Sequence, residues 1–292
     1  MANGIIIIDK PAGWTSMDVC AKLRGMFHEK RVGHAGTLDP MATGVLPVFI
    51  GRATRAVEFA ADSDKEYIAG LRLGVITNTQ DTTGEVLEER PVEVSGERLR
   101  RVLERFTGDI EQIPPMYSAV KINGKKLYEL ARKGREVERK PRPVTIRALE
   151  LLGWPEAGED FTLRVVCSKG TYVRTLCHDI GQALGCGGCM SALRRVKAAG
   201  FTEADSVSLE AVQAAVDRGE GESLLLPADA CFAGLPMLAL KTAAAEKRIR
   251  NGAVLTLSDI PDGEYRVYGM DKTFLALGRA ADGKLAVVKS FF

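Results

Sequence analysis

The sequence has no run of about eighteen apolar residues, which is the length of chain that a membrane-spanning helix needs. Its first residues, Met1 to Ile5, lack the charged and apolar regions of a signal peptide, so we expect a cytoplasmic protein whose six cysteines are reduced thiols. An overall basic excess is also missing, because 40 lysines and arginines face 38 acidic residues and leave a net charge of +2. Any nucleic-acid surface must therefore come from local clustering of charge.

Several familiar site motifs are absent as well. The sequence contains no G-x-x-x-x-G-K-[ST], no strand-linked G-x-G-x-x-G and no H-E-x-x-H. Cys186 and Cys189 form a C-x-x-C, but a zinc site needs two further ligands, and the nearby Cys177 and His178 have no familiar spacing from that pair. We therefore expect no metal and no cofactor, and the sequence leaves the role of the cysteine pair open.

What the sequence does contain is an ordinary globular balance, with 46% hydrophobic and 27% charged residues over 292 positions. This length suits one large domain, or a large and a small one. Thr15 and Asp18 have capping-box spacing at the start of a helical pattern, and Tyr67 shares the inward face of an alternating strand with Ala69 and Leu71. The residue patterns predict strands at 5–8, 65–73, 144–153 and 161–168, and helices at 16–28, 99–106 and 171–184.

The segment 33–47, GHAGTLDPMATGVLP, combines three glycines and two prolines with interleaved apolar residues. This composition predicts an irregular segment that packs against a core. A loop that is held down and still presents His34 and Asp39 is a candidate for chemistry. The residues alone leave two plainer interpretations open, namely Asp39-Pro40 as a turn and His34 as a hydrogen-bonded loop histidine.

This segment closely resembles the signature G-H-x-G-x-L-D-P-x-A-x-G-x-L of the TruB family of tRNA pseudouridine synthases. In that family, the aspartate that matches Asp39 is the catalytic residue. Lys65-Glu66-Tyr67 is similar to the family's K-x-Y, whose tyrosine stacks on the target base. The segment 170–176 is similar to G-T-Y-[IV]-R-[ST]-L, which implies that Arg174 pairs with Asp39. The chemistry suits this pairing, because a guanidinium can hold a carboxylate through two hydrogen bonds.

The same resemblance implies four further substrate-side residues. Tyr172 would line the base pocket, and Leu193 would contact the substrate. Lys10, in a Lys-Pro pair that ends the first strand, would lie near the substrate and support the active loop. His34 would fill the gap that an extruded base leaves in the RNA loop, as aromatic side chains do with splayed RNA.

The segment 113–143 has the most unusual charge. From Lys121 to Arg142 it carries nine basic residues against three acidic ones. A solvated helix and loop is the plainer interpretation. The segment also resembles the family's RNA-gripping insertion, and concentrated charge favours a mobile basic arm laid on phosphates. The residues expected to contact the RNA backbone are Lys121, Lys125, Lys126, Arg132 and Lys133.

The expected fold is α+β: a pseudouridine synthase fold with a central, mostly antiparallel mixed sheet flanked by helices. We assign residues 1–232 to this catalytic domain. Residues 233–292 contain short alternating pieces cut by Gly, Asp and Pro, which predict a small β-barrel, and their place and length resemble a PUA-like RNA-binding module.

The resemblance implies isomerisation of the T-loop uridine of tRNA (position 55 in tRNA numbering) by a monomer that binds the T-arm. Asp39 would act at the sugar, either as nucleophile at C1′ or as base at C2′ giving a glycal, and Tyr67 would hold the base. One alternative is an additional or sole role as a tRNA-binding folding chaperone. Another is a glycosidase or phosphoesterase with a coincidental motif, which the lack of a second carboxylate and of metal ligands disfavours.

Overall fold

The structure, a computed structural model, describes residues 2–122, 124–156, 160–257 and 259–292. The helices are α1 Ser16–Phe27, α2 Val57–Ala61, α3 Gly96–Arg105, α4 Leu127–Ala131, α5 Val173–Leu184, α6 Leu209–Asp217 and α7 Ala243–Arg250. The strands of the first 202 residues are β1 Gly4–Lys10, β2 Val32–His34, β3 Thr43–Ile50, β4 Lys65–Leu73, β5 Val75–Thr77, β6 Val86–Glu89, β7 Gly108–Gln112, β8 Lys121–Ile122, β9 Lys125–Lys126, β10 Arg142–Leu151, β11 Phe161–Cys167, β12 Gly188–Ala198 and β13 Phe201–Thr202. The remaining strands are β14 Met237–Ala239, β15 Leu255–Thr256, β16 Gly263–Tyr268, β17 Phe274–Ala281 and β18 Lys284–Ser290.

A nine-stranded sheet forms the centre, in the order β1-β3-β12-β4-β11-β10-β7, with β2 on β3 and β13 on β12. Its pairs are antiparallel except for β3 with β12, which run parallel at Thr43 and Gly44. The expected α+β class and the mixed, mostly antiparallel sheet are confirmed. Within the described part of the chain, no helix is long and apolar enough to cross a membrane.

Strand β1 shows why four consecutive isoleucines occur at positions 5–8. Ile6 and Ile8 face a core cluster that includes α1 and α6, whereas Ile5 and Ile7 face a second cluster on the other side of the sheet. All four are at most 1% exposed, so the strand is covered on both faces and does not alternate with polar residues. Burial of each such side chain stabilises the fold by about 1.5–3 kcal/mol.

The C-terminal strands form a second sheet in the order β14-β16-β17-β18-β15. This sheet is a curled half-barrel, consistent with a PUA-like module. Phe291 and Phe274 pack around Phe232, whose ring centroid also lies 5.5 Å from that of Phe59. The half-barrel therefore covers the second face of the central sheet. The boundary between residues 232 and 233 stays a prediction.

Most predicted elements are confirmed, including the capping box that Thr15 and Asp18 form at the start of α1. The prediction that residues 33–47 are irregular is partly wrong, because β2 ends at His34 and β3 begins at Thr43. Gly44 permits this strand: its φ is +98°, and a Cβ there would lie 2.3 Å from the carbonyl oxygen of Arg195. Helix α7 and strand β14 were not predicted.

Candidate active site

The segment 35–45, which runs from the end of β2 into β3 and is called the catalytic loop after its predicted role, is fastened to the start of the chain. Ser16 Oγ accepts a hydrogen bond from Leu38 N at 2.9 Å and donates one to Leu38 O at 3.3 Å. The amide of Gly13 donates to Pro40 O at 2.8 Å. These bonds lie on both sides of Asp39, so the backbone that carries its carboxylate is fixed.

Asp39 and Arg174 form an ion pair. Arg174 Nε lies 2.9 Å from Asp39 Oδ2, and Nη2 donates to Oδ1 at 3.3 Å. Arg174 is only 5% exposed, whereas the side chain of Asp39 is 36% exposed. The guanidinium thus forms the floor beneath a carboxylate that opens towards solvent, and it holds that carboxylate through two nitrogens.

Arg174 also connects two other segments to the catalytic loop. It donates to Thr79 O at 3.0 Å and to Tyr117 O at 2.9 Å, and its Nε lies 3.7 Å from Asp81 Oδ2. Tyr117 belongs to the basic insertion, so one guanidinium touches the loop, the insertion and the turn after β5. Arg174 lies in the first turn of α5 because the helix begins directly after Gly170-Thr171-Tyr172.

Tyr67 lies on the buried face of β4 and is 8% exposed. Burial raises the pKa of its phenol, and the neighbouring charge of Arg195 opposes that rise, while the charge of Asp39 adds to it. Tyr67 is therefore a neutral phenol at pH 7.

Three buried cations lie beneath this site. Lys10 is fully buried and donates to Pro11 O at 2.9 Å, to Trp14 O at 2.6 Å and to Pro40 O at 3.3 Å. Burial lowers its pKa to about 8, an effect that the charge of Asp39 opposes. Lys10 thus supports the catalytic loop from below, and its contact with substrate stays a prediction. The other two cations are Lys65 and Arg195.

The remaining predicted substrate residues surround the loop. His34 ends β2, and its Nδ1 is buried without a hydrogen-bond partner among the described residues; burial lowers the pKa of its imidazole. Tyr172 caps α5, and Gln112 both donates to its carbonyl and accepts from its amide. Leu193, on β12, lines a cavity of about 390 Å³ that also contains Met41 of the loop. The predicted roles of these three residues stay predictions.

The predicted insertion 113–143 corresponds to the connection 113–141 between β7 and β10. It contains the hairpin of β8 and β9 and the short helix α4, and Asn123 lies outside the described residues. Lys121, Lys125, Arg132 and Lys133 are exposed, and Lys126 is half-buried. Lys126 and Arg132 both lie over the ring of Tyr128, at 5.4 and 5.3 Å. The exposed cations are thus available to an anionic partner.

The cysteine pair lies away from this arrangement. All six cysteines are free thiols, and Cys186 and Cys189 are buried. Among the described residues, no group of three or more His, Cys, Asp or Glu side chains is placed to hold a metal ion.

Sequence reasoning missed three functional neighbours. Arg195 and Gln112 are buried and hold backbone of the site, and Asp81 is buried beside Arg174. The segment 77–84, which contains Asp81, resembles T-x-T-x-D-x-x-G, a further motif of the family named in the sequence analysis, and this resemblance was the available signal for Asp81. Strand alternation alone could not decide whether Arg194 or Arg195 faces inward.

Known proteins are similar to this chain over most of its length. The TruB family pseudouridylate synthase N-terminal domain matches residues 24–173, and the tRNA pseudouridylate synthase B C-terminal domain matches residues 174–233. The tRNA pseudouridine synthase B of Ralstonia pickettii is 46% identical over 289 residues, which cover 96% of this chain and 90% of that protein. The protein of the same name from Azoarcus sp. is 45% identical over 285 residues, with 98% and 93% covered.

Two solved structures are similar over 99% of this chain and 85% of theirs. One is a chain of a Cbf5-Nop10-Gar1 complex, with a TM-score of 0.75 and 28% identity. The other is a chain of an H/ACA RNP bound to a substrate RNA containing 2′-deoxyuridine, with a TM-score of 0.74 and 26% identity.

Proposed function

We propose that Asp39 catalyses the reaction of this chain's family. The chain belongs to the TruB family of pseudouridylate synthases. The chain is a tRNA pseudouridine synthase: it isomerises a uridine of tRNA to pseudouridine. The observation that carries the assignment of Asp39 is its ion pair with Arg174, 135 positions away along the chain.

The target that we propose is the T-loop uridine, bound through the T-arm. A base inside a folded loop must leave its stack before it can react, at a cost of a few kcal/mol. Tyr67 and Tyr172 would stack on or line the extruded base, and Leu193 would contact it, which offsets that cost. The partly exposed carboxylate of Asp39 beside the buried Tyr67 supports a pocket that a base enters from solvent.

The reaction needs no net redox change. The N1–C1′ bond breaks, the uracil turns, and a C5–C1′ bond forms; the product carries a proton on N1 and has lost the one on C5. Asp39 acts at the sugar, as nucleophile at C1′ or as base at C2′. Arg174 holds the carboxylate ionised and aimed, and Tyr67 holds the base. We propose that Tyr67 also assists the removal of the C5 proton.

The other carboxylate beside Arg174 is not available to a substrate, and this supports isomerisation over hydrolysis. Glycoside hydrolysis normally uses two carboxyl groups and a water. Asp81 is the acidic group beside Arg174, but it is buried and accepts hydrogen bonds from Thr79 and from the amide of Thr83. It is therefore committed to the turn and does not face a substrate water.

Substitution of the catalytic aspartate tests this function. Asp39→Asn is expected to abolish pseudouridine formation in an unmodified tRNA transcript, mapped by carbodiimide modification, while tRNA binding survives. Asp64→Asn is the matched control, because Asp64 is 42% exposed and pairs with Arg147 Nε at 2.7 Å on the sheet surface. Wild-type turnover by Asp39→Asn would refute the assignment. A protein whose sole role is tRNA folding would show no pseudouridine in either variant or in the wild type.

We also propose that the chain acts on tRNA as a cytoplasmic monomer. Its own basic insertion supports this, since it supplies an RNA-facing surface without a second protein. Light scattering of the chain alone and with one equivalent of tRNA tests it, and a 1:1 complex is expected. A dimer at micromolar concentration would contradict it.

A further inference from the structure

Arg195 is the largest fully buried side chain of the described structure, with 0% exposure. A guanidinium that is removed from water costs several kcal/mol unless its donors are well satisfied. In the part of the chain that the structure describes, its guanidinium donates to two backbone carbonyls and also contacts the phenol of Tyr67, and no carboxylate forms a salt bridge with it. A cation kept in this position at such a cost calls for a functional reason.

The two carbonyls that Arg195 binds lie at opposite ends of the catalytic loop. Its Nε donates to Val45 O at 2.7 Å, and its Nη2 donates to Gly36 O at 3.1 Å. Gly36 precedes Asp39 by three positions, and Val45 follows it by six. The two donors lie on one edge of a rigid planar fork, so they fix the distance between the ends of the loop.

The backbone of Arg195 joins the same parts of the site. On β12 it is paired with Gly44 of β3 on one side and with Tyr67 of β4 on the other. The close approach to Gly44 leaves no room for a Cβ at that position. Arg195 thus contacts both ends of the loop and is also paired in register with Tyr67.

We infer that Arg195 is a positioning residue for the isomerisation. Its guanidinium binds the loop at Gly36 and at Val45 and so fixes the position of Asp39 relative to Tyr67. The inference rests on the proposed role of Asp39. A reacting group displaced by about 1 Å can lose about 100-fold in rate, so the span that Arg195 sets between Gly36 and Val45 acts on catalysis. In this inference Arg195 acts on catalysis through the loop and through its contact with Tyr67.

Substitution of Arg195 by lysine distinguishes the effect of the positive charge from the effect of the fixed distance between Gly36 and Val45. Arg195→Lys keeps the cation but has one nitrogen, which can serve one of the two carbonyls. Arg195→Met removes the charge as well and leaves both carbonyls unpaired. If the span is what matters, both variants lose rate; if only charge matters, Arg195→Lys retains it.

The test uses the full chain and an unmodified tRNA transcript. Single-turnover rates are measured with enzyme in saturating excess, Kd is measured by filter binding, and thermal unfolding confirms that each variant is folded at the assay temperature. We expect Arg195→Lys to lose about 100-fold in rate with a Kd within about threefold of wild type. Arg164→Lys is the control, since Arg164 binds Glu66 and Glu150 on the outer face of the same sheet and should retain the wild-type rate.

The outcomes separate this inference from the proposed function. A folded Arg195→Lys that turns over at the wild-type rate overturns the inference, as does a loss that lies wholly in Kd. Should Arg195→Met fail to fold, Arg195→Lys alone decides the question. If Asp39→Asn keeps full activity, the role of Asp39 fails instead, and the inference fails with it.

Discussion

Replacement of Arg174 by lysine is the sharpest test of the site, because it keeps the charge and removes the fork. The arginine makes two contacts with Asp39, at 2.9 and 3.3 Å, and two hydrogen bonds to the carbonyls of Thr79 and Tyr117. A lysine nitrogen on a different stem can keep one contact with the carboxylate and cannot reach all of these acceptors. The variant therefore loses one of the two contacts with the carboxylate and one of the two hydrogen bonds to the half-buried carbonyls.

The size of the effect follows from those lost bonds. A hydrogen bond to a charged group contributes about 1.5–3 kcal/mol, and the lower end applies because Asp39 is partly exposed. A neutral carbonyl bond adds about 1 kcal/mol. Transition-state positioning therefore weakens by about 2–3 kcal/mol, which corresponds to a roughly 30- to 160-fold lower rate.

Single-turnover formation of pseudouridine, with enzyme in saturating excess over tRNA, measures this loss without a contribution from product release. Arg164→Lys is again the control. Arg164 lies on the same sheet and also binds carboxylates through two nitrogens, with Nε 2.7 Å from Glu66 Oε1 and Nη1 3.0 Å from Glu150 Oε1. If folded Arg174→Lys matched the wild-type rate, the bidentate pairing would have no catalytic role and the reasoning would be refuted.

Two other predictions concern the insertion and Lys10. Replacing Lys125, Lys126 and Lys133 by glutamine should weaken tRNA binding and lower the slope of log K against log salt by about 2–3, whereas an unchanged slope would show that the insertion does not touch phosphates. Burial lowers the pKa of Lys10 from 10.5 to about 8, so between these pH values the unfolded chain binds more protons than the folded one. The unfolding free energy of the wild type should then rise relative to Lys10→Met as pH increases through this window, by up to about 3 kcal/mol. Urea unfolding at pH 7.5 and pH 10 measures the difference, and a constant difference would mean that Lys10 does not titrate there.

Short-range patterns predicted much of the fold. The capping box at Thr15, the isoleucine run of β1 and the alternation around Tyr67 each depend on residues a few positions apart, and all three appear as expected. The prediction failed at Thr43 to Pro47, where a glycine and a proline would normally interrupt a strand. The close packing of β12 against Gly44 overrides that local preference.

The family signature identified Asp39, Tyr67 and Arg174, and the structure adds what surrounds them. Tyr117 of the insertion accepts a hydrogen bond from Arg174, and Gln112 fixes the backbone of Tyr172. Both contacts join elements that are about 60 residues apart along the chain. No spacing rule along the sequence could have paired them, because their proximity depends on the order of strands in the sheet.

The sequence by itself predicted most of the strands and helices around the site and proposed the loop of Asp39 as the place of the chemistry, because these predictions depend on neighbours along the chain. The adjacent arginines on β12 show what remained undecided. Alternation puts Arg194 and Arg195 on opposite faces, and the sequence does not say which face is buried. Only the tertiary structure turns Arg194 to Asp9 and Glu203 at the surface and Arg195 to the loop beneath Asp39, because the burial of a side chain is set by the strands and helices that the fold packs around it.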